Sequence, residues 1–167
     1  MSRETRQADF GTLIESHQRL VRRVCRTFAR TPEDREDLFQ EIVYRLWCAY
    51  PSFEGRSKIT TWMYRIAVNT AVTQIRRDRR TPSGTSLQDL TAEPEAAGAP
   101  ANVERTAILQ HALEQLSAVD RALALLYLED LSYRDMSEVL GVSENTIGVR
   151  LNRIKERLAQ LASRRVP

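Results

Sequence analysis

The stretch LSYRDMSEVLGVSENTIGVRLNRI, Leu131 to Ile154, decides the fold class. Ser132 is placed to cap a helix whose third position is Asp135 and whose apolar residues are Met136, Val139 and Leu140. Gly141 stops that helix, because glycine takes left-handed backbone angles at little steric cost. Val142 packs in the turn, and Ser143 is placed to cap the next helix. There Ile147, Leu151, Ile154, Leu158 and Leu161 recur at steps of four, three, four and three. Two capped helices around a tight glycine turn form the helix-turn-helix pattern. A helical hairpin inside a purely structural bundle would share that spacing.

The outward face of the second helix follows from its period. At about 100° per residue, the side opposite Ile147, Leu151 and Leu158 carries Asn145, Val149, Asn152 and Arg153. Asn145, Asn152 and Arg153 bear groups able to read base edges, and Arg150 and Arg157 flank them in position to meet phosphates. Gly148 offers no side chain, so the grip is expected from later in the helix and from its flanks.

Outward from this motif, the chain alternates in charge. Its formal net charge is only +3. Residues 51–80, however, hold seven basic and two acidic side chains, and residues 143–167 hold six and two. Two separate basic segments are candidate phosphate-facing surfaces; mixed-charge helices that are simply solvated would also fit. Lys58 and Lys155 are the only lysines, and a GC-rich genome accounts for most of that arginine bias.

The N-terminal half reads as helices. Phe10, Leu13, Ile14, His17, Leu20, Val21, Val24, Cys25 and Phe28 make one stripe, in which His17 is expected to be partly buried and structural. A new helix opens at TPED, with Thr31 as cap, Pro32 at the first position and Asp34 at the capping-box position. Its apolar set is Leu38, Phe39, Ile42, Val43, Leu46 and Trp47; Gln40, Glu41 and Arg45 face outward. YPSFEGRS, residues 50–57, is a loop. From Lys58 a third helix runs to about Arg80, with Ile59, Trp62, Met63, Ile66, Ala67, Thr70 and Ala71 inward. Residues 81–101 are rich in Pro, Gly, Ala, Ser and Thr and are expected to be a flexible linker. Val103 to Leu116 and Ser117 to Glu129 are expected as helices, the latter with Leu123, Leu126 and Tyr127 inward. The fold class is thus all-α: a domain over 1–80, a linker over 81–101 and a helix-turn-helix domain over 102–167.

Several chemistries find no support. Cys25 and Cys48 sit on apolar helical faces outside any CxxC pair and are expected to be buried thiols, and His17 and His111 lack metal-ligand spacing, so neither a metal nor a cofactor is expected. No phosphate-cradling glycine loop or paired nucleophile and base points to an enzyme. The segment MSRETRQADFGTL has no apolar core, and the longest apolar run, ALALLYL at 122–128, is too short to cross a bilayer. A cytoplasmic protein without membrane insertion is expected.

A helix-turn-helix alone suits many regulators; the first domain discriminates. TTWMYRIAVNTAVTQIRRDRR, residues 60–80, puts an aromatic, an amide and a basic cluster on one helix beside the loop FEGRSKIT, a composition suited to unpaired bases and their phosphates. Taken alone, Trp62 fits a core position better than a stacking platform. Together, DLFQEIVYRLW (37–47), TTWMYRIAVNTA (60–71) and LSYRDMSEVLGVSENTIGVRLNRIKERL (131–158) resemble the extracytoplasmic-function group of bacterial sigma factors, over nearly the whole chain and in the same order.

That resemblance implies a promoter-specificity subunit of RNA polymerase. By it, Asp37, Leu38, Gln40, Glu41, Arg45 and Trp47 match the helix that docks on the polymerase β′ coiled coil, and the second domain would meet the β flap. Phe53, Arg56, Ser57 and Lys58, with Trp62 and Asn69, match the part that opens the minus-ten element and holds a flipped base. Arg76, Arg77, Arg79 and Arg80 match the basic end lying against promoter DNA. Val149, Asn152 and Arg153 match the reader of the minus-thirty-five element. The linker would thread the polymerase near the RNA exit path. An anti-sigma factor is an implied partner besides polymerase and promoter DNA. Gly148 and Val149 depart from the family's usual basic residue followed by serine, so reading is expected to shift to Asn145, Asn152 and Arg153 with phosphate support from Arg150. Two rivals remain at this stage: a stand-alone helix-turn-helix regulator, and a sigma-like decoy that binds an anti-sigma protein.

Overall fold

The computed structural model describes residues 3–80 and 111–163, with side chains from Arg6 to Asp78 and from His111 to Leu161. The expected linker, and residues 103–110 of the helix expected from Val103, lie outside the described residues. All regular structure among the described residues is helical. The chain divides into two compact units, Met1–Pro82 and Ser83–Pro167. Among the described residues no helix is long and apolar enough to cross a membrane.

The first unit is three helices, each packed on the other two: α1 (Arg3–Phe28), α2 (Pro32–Ala49) and α3 (Ile59–Arg80). Phe10, near the start of α1, meets the Trp47 and Tyr50 rings at the far end of α2, at centroid distances of 5.2 and 5.5 Å. The first two helices therefore run antiparallel. Thr31 caps α2 as expected, accepting a 3.0 Å hydrogen bond from the Asp34 amide, and Pro32 takes the first turn. The core holds Val21 and Val24 from α1, Leu38, Ile42 and Leu46 from α2, and Met63, Ala67, Val68 and Ala71 from α3. Each fully buried Val, Leu, Ile or Met side chain contributes about 1.5–3 kcal/mol. His17 is half-buried, its Nδ1 3.0 Å from the Leu13 carbonyl, a structural role.

Two expectations about this unit change. Thr61, Tyr64, Val68 and Val72 are buried beside the expected inner face of α3, because that helix is covered by both α1 and α2 and needs a stripe wider than one contact would. Cys25 is buried, but Cys48 is exposed. The buried line of α2 is Leu38, Ile42 and Leu46, and position 48 lies about 200° around the helix from Leu46. Burial pushes the Cys25 thiol up to about 11, against the lowering influence of the nearby Arg22.

The second unit has helical residues 111–114, then α4 (Ala118–Leu128), α5 (Tyr133–Leu140) and α6 (Glu144–Ser163). Arg121 is buried, and its guanidinium donates to the carbonyls of Leu113 and Glu114 at 3.0 Å each, tying the first of these segments to α4. Ala122 to Leu126 are all buried, whereas Tyr127, expected inward, is 40% exposed. It lies at the end of α4, where the ring is covered from one side by the Lys155 ammonium, 4.4 Å from its centroid. Met136, Val139, Ile147, Leu151 and Ile154 close the core between α5 and α6.

Candidate nucleic-acid interface

Local signals set the helix-turn-helix. The Ser132 hydroxyl accepts from the Asp135 amide at 3.1 Å and donates to the Asp135 carboxylate at 2.8 Å. Ser143 accepts from the Thr146 amide at 3.2 Å and starts α6. Gly141 has φ +68°, the left-handed conformation its position demands, and its amide donates to the Ser137 carbonyl at 2.8 Å. The Ser137 hydroxyl then holds the turn by donating to the Val142 carbonyl at 2.6 Å.

The outer face of α6 is as its period requires. Asn145, Asn152, Arg153 and Arg157 are exposed, and Val149 is 48% exposed. Arg150 differs from its expected place among free phosphate contacts. Its Nε lies 3.2 Å from the Asp120 carboxylate on α4, so its charge is already partnered inside the unit. A Cβ added at Gly148 would sit 3.5 Å from Cε2 of Tyr133, so the first turn of α5 lies alongside the recognition helix there. Tyr133 is 41% exposed and belongs to this face, although the sequence pattern gave no reason to single it out. Arg153, Glu156, Arg157, Gln160 and Leu161 line a groove of about 420 Å³ farther along α6.

In the first unit, the Phe53 and Trp62 rings meet at 5.0 Å with their planes tilted by 46°. This contact joins the loop after α2 to the first turn of α3. The loop turns at Gly55, φ +70°, and Arg56 pairs with Glu54. Ser57 is half-buried and Lys58 exposed. Trp62, Asn69 and Arg76 follow one another at steps of seven, which keeps them on one line along α3 with a drift of about 20° per step. Trp62 is half-buried, whereas Asn69, Arg76 and Arg77 are exposed. The side chains of Arg79 and Arg80 lie outside the described residues.

The residues expected on the α2 docking face separate into two groups. Asp37, Gln40 and Arg45 are exposed and Glu41 half-exposed, with Arg45 Nε donating to Glu41 at 2.6 Å. Leu38 is 2% exposed and Trp47 is half-buried against Phe10. Leu38 therefore lies in the core, for it continues the buried line of Ile42 and Leu46. Tyr44, 63% exposed on the outer ridge, was not singled out from the sequence, although steps of three and four from Asp37 through Gln40 or Glu41 lead to it. Its hydroxyl is held above its ordinary value, first by a hydrogen bond with the Cys48 thiol and then by that group's charge. Among the described residues no group of three or more His, Cys, Asp or Glu side chains is placed to hold a metal ion.

Comparison with known proteins places both units. Residues 13–81 match the sigma-70 region 2 family, and residues 106–158 match sigma-70 region 4. The chain is 31% identical over 153 residues to the ECF RNA polymerase sigma factor SigM of Mycobacterium tuberculosis, across 91% of this chain and 76% of that protein. It is 30% identical over 162 residues to the ECF RNA polymerase sigma-E factor of Escherichia coli, across 90% and 84% of the two chains. The solved structure of the sigma factor RpoE from Bartonella quintana, in complex with the anti-sigma factor NepR, superposes with a TM-score of 0.76 at 24% identity, over 93% of this chain and 97% of that one.

Proposed function

The chain belongs to the ECF sigma factors of RNA polymerase, and on that footing we propose how its residues divide the work. It is a transcription-initiation factor that binds core RNA polymerase and promoter DNA, and not an enzyme. The assignment of tasks is our reading. Residues 1–80 dock on the β′ coiled coil through Asp37, Gln40, Glu41 and Arg45, with Tyr44 on the same ridge. The Phe53–Lys58 loop, Trp62 and Asn69 take the minus-ten element, and the basic end of α3 from Arg76 to Arg80 lies against the adjoining duplex. Residues 102–167 meet the β flap and read the minus-thirty-five element through Asn145, Val149, Asn152, Arg153 and Arg157. Residues 81–101 tether the two.

One observation carries this reading. A helix with an aromatic, an amide and a basic end on one line stands in the first unit, and a capped helix-turn-helix with an amide- and arginine-bearing outer face stands in the second. Unpairing a base costs a few kcal/mol, and a pocket that captures the extruded base offsets it. Two tethered readers on one DNA gain effective concentration that neither has alone. The RpoE complex supports an anti-sigma factor as a further partner. The place of action is the bacterial cytoplasm, where core polymerase works. The test is transcription in vitro from a genomic library by core polymerase plus this chain. New, discrete start sites are expected. A chain that binds duplex tightly by itself and starts no RNA would instead be a stand-alone regulator.

A further inference from the structure

Between the first and second turns of the recognition helix lies an apolar patch where a reader would be expected to carry long polar side chains. Val149 is 48% exposed, Gly148 has no side chain, and the Tyr133 ring lies beside it, 3.5 Å from the site of a Cβ. Val149 is bracketed on its own face by Asn145, four residues before it, and by Asn152 and Arg153, three and four after it. Arg150, the next residue, is drawn to Asp120 on α4.

The major groove presents a single apolar group, the C5 methyl of thymine, and the same A·T pair shows an N7 acceptor and an N6 donor that suit an asparagine amide. A branched aliphatic side chain between two amides, on a face closed by arginines, therefore has A·T pairs as its chemical match. A protein partner for the patch would leave the two amides and the arginines without their groove partners. From the juxtaposition of exposed Val149 with Asn145, Asn152 and the Tyr133-covered Gly148, we propose that this helix reads the C5 methyl of a thymine in the minus-thirty-five element, with Val149 as the specificity-determining contact. The proposal rests on the assignment of α6 to that element. The Tyr133 ring lies on the flank that Gly148 leaves open.

The experiment uses holoenzyme assembled from core polymerase and the full chain. Templates carry a randomised upstream element made with either thymine or uracil, joined to a constant thymine-containing downstream promoter. Uracil lacks only the methyl. Transcribed templates are sequenced. A thymine preference at one or two upstream positions is expected, weakened by about three- to fivefold in the uracil library, the worth of one buried methyl. Val149→Ala should lose most of that difference, and Val149→Thr, which keeps a methyl, should retain part of it. Uracil templates selected with the same preference as thymine templates, or methyl sensitivity unchanged in Val149→Ala, overturn the proposal and leave the sigma assignment standing. Absence of initiation on every template in both libraries overturns the assignment itself, and this proposal with it.

Discussion

Arg150 on α6 and Asp120 on α4 form an ion pair, Nε to Oδ1 at 3.2 Å, across the back of the recognition helix. The same Asp120 accepts the Ser117 hydroxyl at 2.9 Å, and its amide donates to that hydroxyl to cap α4. The start of α4 and the second turn of α6 are thus fastened at one carboxylate. Both side chains are about one-third exposed, so the pair is worth about 0.2–1 kcal/mol. It holds the Arg150 guanidinium against α4.

A salt titration distinguishes the arginines. Each phosphate contact removed lowers the slope of log affinity against log salt concentration by about 1. We expect this for Arg157→Ala in the holoenzyme. For Arg150→Ala we expect a smaller change of slope, with a loss of stability no larger than about 1 kcal/mol. Equal slope changes in the two variants would show that Arg150 leaves Asp120 to hold a phosphate.

The helix proposed to dock on polymerase, α2, separates core from exposed ridge. Leu38→Ala should destabilise the chain by about 2–5 kcal/mol through the cavity it leaves. Gln40→Ala should leave stability within about 0.5 kcal/mol and weaken binding to core polymerase. Urea unfolding and a polymerase pull-down, run on both variants, measure this. A Gln40→Ala chain that binds polymerase as tightly as the parent removes Gln40 from the docking surface.

The ring pair Phe53–Trp62 should govern strand opening more than association. The contact itself is worth about 0.5–1.5 kcal/mol beyond burial. Phe53→Ala frees the loop from α3, and we expect fewer open complexes at an unchanged level of closed ones. Permanganate modification of unpaired thymines reads the first, and gel retention at low temperature the second. Full permanganate reactivity in the variant argues against a role for the pair in opening.

Gly141→Ala forces a side chain into a left-handed backbone position. A loss of about 1–2 kcal/mol is expected, seen as a lower thermal midpoint. Nothing lies within 4 Å of the added Cβ, so backbone strain and not collision is the cause. An unchanged midpoint means that the turn adopts another conformation.

The two thiols should react unequally. Cys48 is exposed and should label quickly with a maleimide at pH 7.5, while Cys25 labels only on unfolding. Cys25 ionises near 9 when unfolded and near 11 when folded. The native state therefore keeps a proton that the unfolded chain gives up between those values. Its contribution to stability is complete below pH 9 and is lost as pH rises towards 11. Cys25→Ala should show a shallower decline over that window, and an identical decline removes Cys25 as its source.

Signals confined to three or four residues were readable from sequence. Thr31, Ser132, Gly141 and Ser143 each act on a neighbour within one turn, and all four sit where their residue types demand. Faces determined by a second or third helix were not readable in the same way. Tyr64 and Val68 are covered because α3 has neighbours on two sides, which its own period does not announce. Tyr127 has the composition of a core residue, yet the helix ends beneath it. Family likeness placed Leu38 on a contact surface, where its four-residue steps to Ile42 and Leu46 place it inside. The Asp120–Arg150 pair joins side chains thirty positions apart and left no trace in local spacing.

The double coverage of α3 has a kinetic corollary. Met63, Ala67 and Ala71 have no exposed surface, and α1 and α2 hold the helix together. Neither neighbour can peel away without wetting the middle of the rod, so its central amides should take up deuterium only when the whole first unit unfolds. Next to it, the exposed turn through Glu54, Gly55 and Arg56 should exchange within seconds. On the reading proposed above, a stiff strut with a pliant collar would meet the DNA: the collar would reshape around a displaced base while the strut keeps its bearing.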